Sequence, residues 1–148
     1  MNPLANRLMA LVALLAVGGI VVSSVSLQHH FETSKTAYCD IGENFNCDIV
    51  NRSAYSSIAG IPVALIGMLG YAALVGLATV YRERRETPAL LFLGAFGGLA
   101  FALYLTYIEG WVLGAWCIMC LSSLALIATI TVVSGILWLR SRGTGHCS

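Results

Sequence analysis

The chain has 148 residues, 58% hydrophobic and 10% charged, with a formal net charge of +1 and a mean hydropathy of +0.83. A soluble domain is roughly a quarter charged, so this composition excludes an ordinary water-soluble fold, and the near-neutral charge leaves no nucleic-acid footprint. What remains is an integral membrane protein, read as one domain over residues 1–148.

Four apolar stretches follow in chain order, roughly 8–27, 58–80, 89–108 and 117–139, and none contains Asp, Glu, Lys or Arg. Each is near the length of about twenty residues that a helix needs to cross a bilayer. Lipid cannot satisfy backbone N–H and C=O groups, so each stretch is expected to be helical. The fold class is therefore all-α, a polytopic four-helix membrane bundle. The first stretch follows Arg7 as a signal peptide would. It is longer than a usual signal core and no A-x-A site follows, so it is expected to stay as a helix. Gly94 and Gly98 form a GxxxG pair, and Gly67 and Gly70 lie one turn apart. Such residues serve close helix packing. The polar tail 141–148 is expected to be disordered.

Basic residues orient the bundle. Arg7, Arg82, Arg84, Arg85, Arg140 and Arg142 fall on one side, Lys35 and Arg52 on the other. The positive-inside rule then puts both termini in the cytoplasm. The loop 28–57 and the shorter loop 109–116 would lie outside. The expected location is the cell (inner) membrane, crossed several times. Trp111 and Trp116 fit an interfacial aromatic belt.

Four of the five cysteines fall on the exoplasmic (periplasmic) side in this topology, where disulfides persist. Cys39 and Cys47 sit in the long polar loop. Cys117 and Cys120 form a CxxC at the start of the fourth stretch. That spacing lets two sulfurs form and break a disulfide without moving the backbone. A helix N-terminus also stabilises a thiolate. A dithiol at the lipid boundary faces soluble thiols on one side and lipid-soluble oxidants on the other. The pattern predicts electron transfer from protein thiols to a membrane quinone. The plainer reading of Cys39 and Cys47 is a static staple of the loop, and that of the CxxC is two inert helix cysteines. His29 and His30 have no ligand spacing to the cysteines, so no metal is expected. Cys147 has no partner in the sequence pattern and reads as a free thiol.

The order of these features resembles the vitamin K epoxide reductase family. The matching positions are Cys39-Asp40, Cys47 after seven intervening residues, Ser53 six further on, Gly60-Ile61-Pro62 opening the second stretch, and Cys117-x-x-Cys120 opening the fourth. The resemblance implies a four-helix bundle around a quinone (menaquinone, phylloquinone or ubiquinone). It implies that Cys39 exchanges disulfides with a thioredoxin-fold partner, that Cys47 passes electrons to Cys117, and that Cys120 reacts with the quinone. Ser53 matches a hydroxyl position near the ring. In the animal branch an Asn near the start of the second span and a Tyr one turn past the CxxC bind the quinone oxygens. Ser56 or Ser57 and Leu124 stand there in this chain. That departure makes the chain look more like the bacterial members, which oxidise a thioredoxin-fold protein, and epoxide reduction becomes the second reading. Ser53, Ser56, Leu121 and Leu124 are the expected quinone contacts. Nine residues follow the fourth stretch, so the thiol partner is expected to be a separate chain.

Two other readings compete. The bacterial disulfide-bond oxidase family also has four helices and two cysteine pairs, but its CxxC lies in the first exported loop. A non-enzymatic assembly factor or small transporter subunit could carry structural disulfides. The absence of charge in the four stretches argues against an ion or proton pathway.

Overall fold

The computed structural model describes residues 3–31, 40–41, 45–46, 57–58, 60–114 and 118–144. Four helices account for most of them: α1 (Pro3–Phe31), α2 (Val63–Thr79), α3 (Thr87–Tyr107) and α4 (Ile118–Thr144). α1, α3 with its extension to Val112, and α4 are long and apolar enough to cross a bilayer. α2 has 17 residues, about 25 Å at the helical rise, at the lower limit for spanning.

The helix ends differ from the composition-based boundaries for local reasons. The second stretch was expected to be helical from residue 58, but its first residues form a hairpin instead. Strand β3 (Ser57–Ile58) pairs antiparallel with β4 (Ile61–Pro62). Gly60 turns the chain with φ 82, a conformation that residues with a side chain rarely adopt. Pro62 holds φ −59 and ψ 135 at the helix cap, and its ring keeps the preceding residue extended. A second hairpin pairs β1 (Asp40–Ile41) with β2 (Phe45–Asn46). α4 runs through to Thr144, so residues 141–144 of the expected disordered tail are helical. α1 likewise continues to Phe31, into the expected loop.

The bundle is antiparallel from helix to helix. The Arg82 guanidinium donates to Asn6 Oδ1 at 2.5 Å, joining the start of α1 to the segment after α2. The Phe92 ring stacks on Trp138 with centroids 5.4 Å apart, joining the start of α3 to the end of α4. The six arginines named above belong to this end of the bundle. Arg142 lies over the Trp138 ring at 5.0 Å and Arg84 over Tyr81 at 5.3 Å. At the other end meet the last turns of α1, the first turn of α2, the exit of α3 and the CxxC end of α4.

Buried positions on α1 run Met9, Val12, Ala16, Gly19, Ser23 and Ser26, in alternating steps of three and four. They pack with Tyr71 and Leu74 of α2, Leu91 and Ala95 of α3, and Ile127, Ile130 and Leu137 of α4. Meanwhile Leu14, Val21, Leu69, Leu93, Phe96, Val132 and Leu139 face outward. An exterior this apolar suits lipid. Hydroxyls inside the helices are satisfied by their own carbonyls four residues back, as in Thr131 to Ile127 at 2.7 Å and Ser134 to Ile130 at 2.5 Å. In lipid no water is present to do so.

Helices in lipid associate through close packing rather than hydrophobic burial, and Gly19 shows how tight this is. A β-carbon at Gly19 would overlap the Tyr71 ring. Gly19→Ala is therefore expected to cost about 1–3 kcal/mol or more of fold stability. Thermal unfolding in detergent should show a lowered midpoint, partly restored when Tyr71→Leu is added. An unchanged midpoint in the single variant would show that α1 and α2 pack elsewhere.

Candidate functional site

A cavity of about 460 Å³ lies between the helices near the CxxC end of the bundle. That volume falls in the usual range for a small-molecule site. Its walls are mainly apolar, with Val22, Leu74, Leu77, Phe101, Leu105 and Ile127 among them. The polar side chains on the wall are Ser23, Ser26, Tyr71, Glu109, Cys120 and Ser123. An apolar pocket with a few placed polar groups is the ordinary form of a ligand site.

Each polar group is brought there by helical period. On α1, Ser23 and Ser26 continue the buried stripe begun by Met9. On α2, Tyr71 is 5% exposed, and its hydroxyl lies 2.8 Å from Ser123 Oγ and donates to the Ser123 carbonyl at 2.9 Å. This ties α2 to α4 across the cavity. On α4, Cys120 is half-buried and lines the cavity with Met119, Ser123 and Ile127.

Leu121 and Leu124, expected as quinone contacts, are half-buried but are not among the residues lining the cavity. Helix geometry gives the reason. Successive residues turn by about 100°. Seen from Cys120, Ser123 and Ile127 lie to one side, about 60° and 20° away, while Leu124 lies about 40° and Leu121 about 100° to the other. The cavity takes the side of Ser123. Cys39, Cys47, Ser53, Ser56 and Cys117 lie outside the described residues, as do Trp116 and Cys147. Trp111 is exposed and stacks on Tyr107 with centroids 6.3 Å apart.

Glu109 was expected in an external loop. Instead α3 continues as a π-helical turn over Ile108–Leu113, closed by Gly114 with φ 64. This turn buries Glu109 to 2% exposure and sets it on the cavity wall. Sequence reasoning also passed over Tyr71, Ser123, Ser23 and Ser26. The available signal was the three-and-four spacing of Ser23–Ser26 and Cys120–Ser123–Ile127 with the buried positions of their helices.

The cavity has a side opening. Gly67 and Gly70 of α2 and Gly94, Gly97 and Gly98 of α3 line it. A β-carbon at Gly70 or Gly97 would meet nothing within 4 Å. Gly70, expected only to pack helices, and Gly97 are both exposed, so the cavity reaches the surface beside them, whereas Gly67 and Gly94 pack, with β-carbon positions 3.2 Å from Ser23 and 3.5 Å from Leu74. Gly98 packs too, with a β-carbon position 3.3 Å from Ile127.

An apolar helical bundle that holds a ligand-sized cavity with a cysteine on its wall defines a membrane protein with a candidate small-molecule site. The sequence profile of the vitamin K epoxide reductase family matches residues 10–135, most of the chain. The chain belongs to that family and is a membrane oxidoreductase. Quinones are the family's substrates.

Proposed function

We propose that the chain passes two electrons from a separate thioredoxin-fold dithiol protein to a membrane quinone, and so supplies disulfide bonds to exported proteins. Cys39 exchanges with the partner. The partner's thiolate bonds to Cys39 and frees Cys47, the partner's second thiol resolves the mixed disulfide, and the reduced loop pair is reoxidised by exchange, through Cys47, with the Cys117–Cys120 disulfide. The reduced CxxC then gives two electrons and two protons to the quinone, closing its disulfide again and releasing a hydroquinone. The quinone is of the menaquinone, phylloquinone or ubiquinone type. Ser53 and Ser56 stand near its ring, as the family resemblance implies.

The observation that carries this reading is Cys120 on the wall of an apolar, ligand-sized cavity. The opening between α2 and α3 supports it further, since an isoprenoid tail needs a path into lipid. Cys39 immediately precedes β1 and Cys47 immediately follows β2 in the sequence. An antiparallel pair is a favourable setting for a cysteine pair at those positions. The arginines gathered at the opposite end favour a cytoplasmic location for both termini, with the cysteines on the exoplasmic side of the cell membrane.

Two measurements test the relay. Thiol trapping in cells should show a mixture of redox states that shifts toward dithiol when quinone is depleted. A static staple would stay oxidised. In purified protein, the Cys39→Ser/Cys47→Ser variant should reduce quinone with dithiothreitol at near the normal rate, and lose at least about a hundred-fold in rate with a reduced thioredoxin-fold protein. Equal loss with both reductants would remove the shuttle role of the loop pair.

A further inference from the structure

Glu109 is the one carboxylate on the cavity wall among the described residues, and the thiol relay gives it no task. It lies within the apolar span Thr87–Val112. Removing a carboxyl group from water is costly, and an ionisable residue held inside a span marks function far more often than packing. The backbone has departed from α geometry to place it, through the π turn at Ile108–Leu113. Such turns are frequent at functional sites. The other titratable groups on this wall are Cys120 and Tyr71.

The geometry points to Glu109 as the proton carrier between Cys120 and the quinone. The inference rests on the function proposed above. Quinone reduction by the CxxC breaks two S–H bonds, forms one S–S bond, and forms two O–H bonds on the quinone. Two electrons and two protons move, and none is left over. In an apolar cavity, a thiolate awaiting reaction and a hydroquinone anion awaiting a proton are both expensive. The Glu109 carboxylate, which lines the same cavity as Cys120, takes the proton from the Cys120 thiol as its sulfur gives up electrons. The resulting carboxylic acid hands that proton to one quinone oxygen and returns to its starting state, and a second such cycle carries the Cys117 proton to the other oxygen.

The experiment uses the full chain in detergent, with dithiothreitol and a short-chain naphthoquinone. Glu109→Gln keeps the shape and a hydrogen-bonding group but carries no transferable proton. It should lose about a hundred-fold or more in kcat, with the KM for quinone within threefold of wild type. Glu109→Asp should recover at least tenfold over the Gln variant. A Gln variant with kcat within threefold of wild type overturns the assignment. So does a loss that the Asp variant does not recover and that comes with a matching fall in thermal midpoint, because Glu109 would then only hold the turn in place. Wild-type protein gives a second readout should Glu109→Gln fail to fold. Its time-resolved infrared spectrum during reaction of the dithiol form with quinone should contain a transient carboxylic-acid C=O band that decays as hydroquinone forms, and the lack of any such transient overturns the assignment. Cys120→Ser separates the two ideas. An inactive Cys120→Ser beside a fully active Glu109→Gln removes the proton carrier alone, whereas an active Cys120→Ser removes the proposed function itself.

Discussion

Replacing Cys120 with serine is expected to lower quinone reduction by dithiothreitol about a thousand-fold or more. The argument is one of electrons. A CxxC gives up two electrons only by closing a disulfide, and a serine hydroxyl cannot form one. Cys120 is half-buried on the cavity wall, so exchanging sulfur for oxygen changes little volume and should leave the fold in place. Cys117→Ser should fall equally far, since either loss opens the pair. Rates are read from quinone absorbance under anaerobic conditions, with thermal unfolding as the control for folding. If either variant keeps most of its turnover, the two-cysteine relay is wrong.

Where the apolar stretches lie was legible in the sequence, because lipid forces every unsatisfied backbone group into a helix. Their ends were less legible, because composition marks where lipid stops and not where the helical ladder stops. α1 keeps its ladder through Gln28–Phe31, although those residues read as loop. Pro62 and Gly60 delay the start of α2, a signal that apolar composition hid. Glu109 was misplaced for a related reason. A charge at the end of an apolar run reads as the point where the chain meets water, yet the π turn folds this one back into the protein.

The site was legible as chemistry and not as geometry. Cys120 and the CxxC spacing stand out in any reading. Which neighbours share its wall depends on how α4 is rotated, and a helix apolar on every face does not show that. Leu124 and Ser123 both lie within one turn of Cys120. Ser123 lines the cavity and meets the Tyr71 hydroxyl from α2, while Leu124 is half-buried outside that lining. Sequence alone offered no reason to join residue 71 to residue 123, because that contact is made by the packing of two helices far apart in the chain.

The opening between α2 and α3 leads to the prediction with the largest effect on substrate binding. Gly70→Leu and Gly97→Leu are each expected to raise the KM for a long-tailed quinone by about ten- to a hundred-fold. That range corresponds to the roughly 1–3 kcal/mol cost of forcing extra side-chain volume into an occupied site. Both glycines line the cavity, and neither has an atom within 4 Å of where a β-carbon would stand. The helices should therefore accept leucine, and leucine is a better helix former than glycine. The added bulk falls where the tail would pass. Gly76→Leu is the matched control: its β-carbon also meets nothing within 4 Å, but Gly76 does not line the cavity, so its KM should stay at the wild-type value. Short-tailed quinones should suffer less than long-tailed ones in the Gly70 and Gly97 variants, because a ring with little tail leaves the opening clear. Wild-type KM values for long-tailed quinone in both variants would mean that the substrate reaches Cys120 by another route.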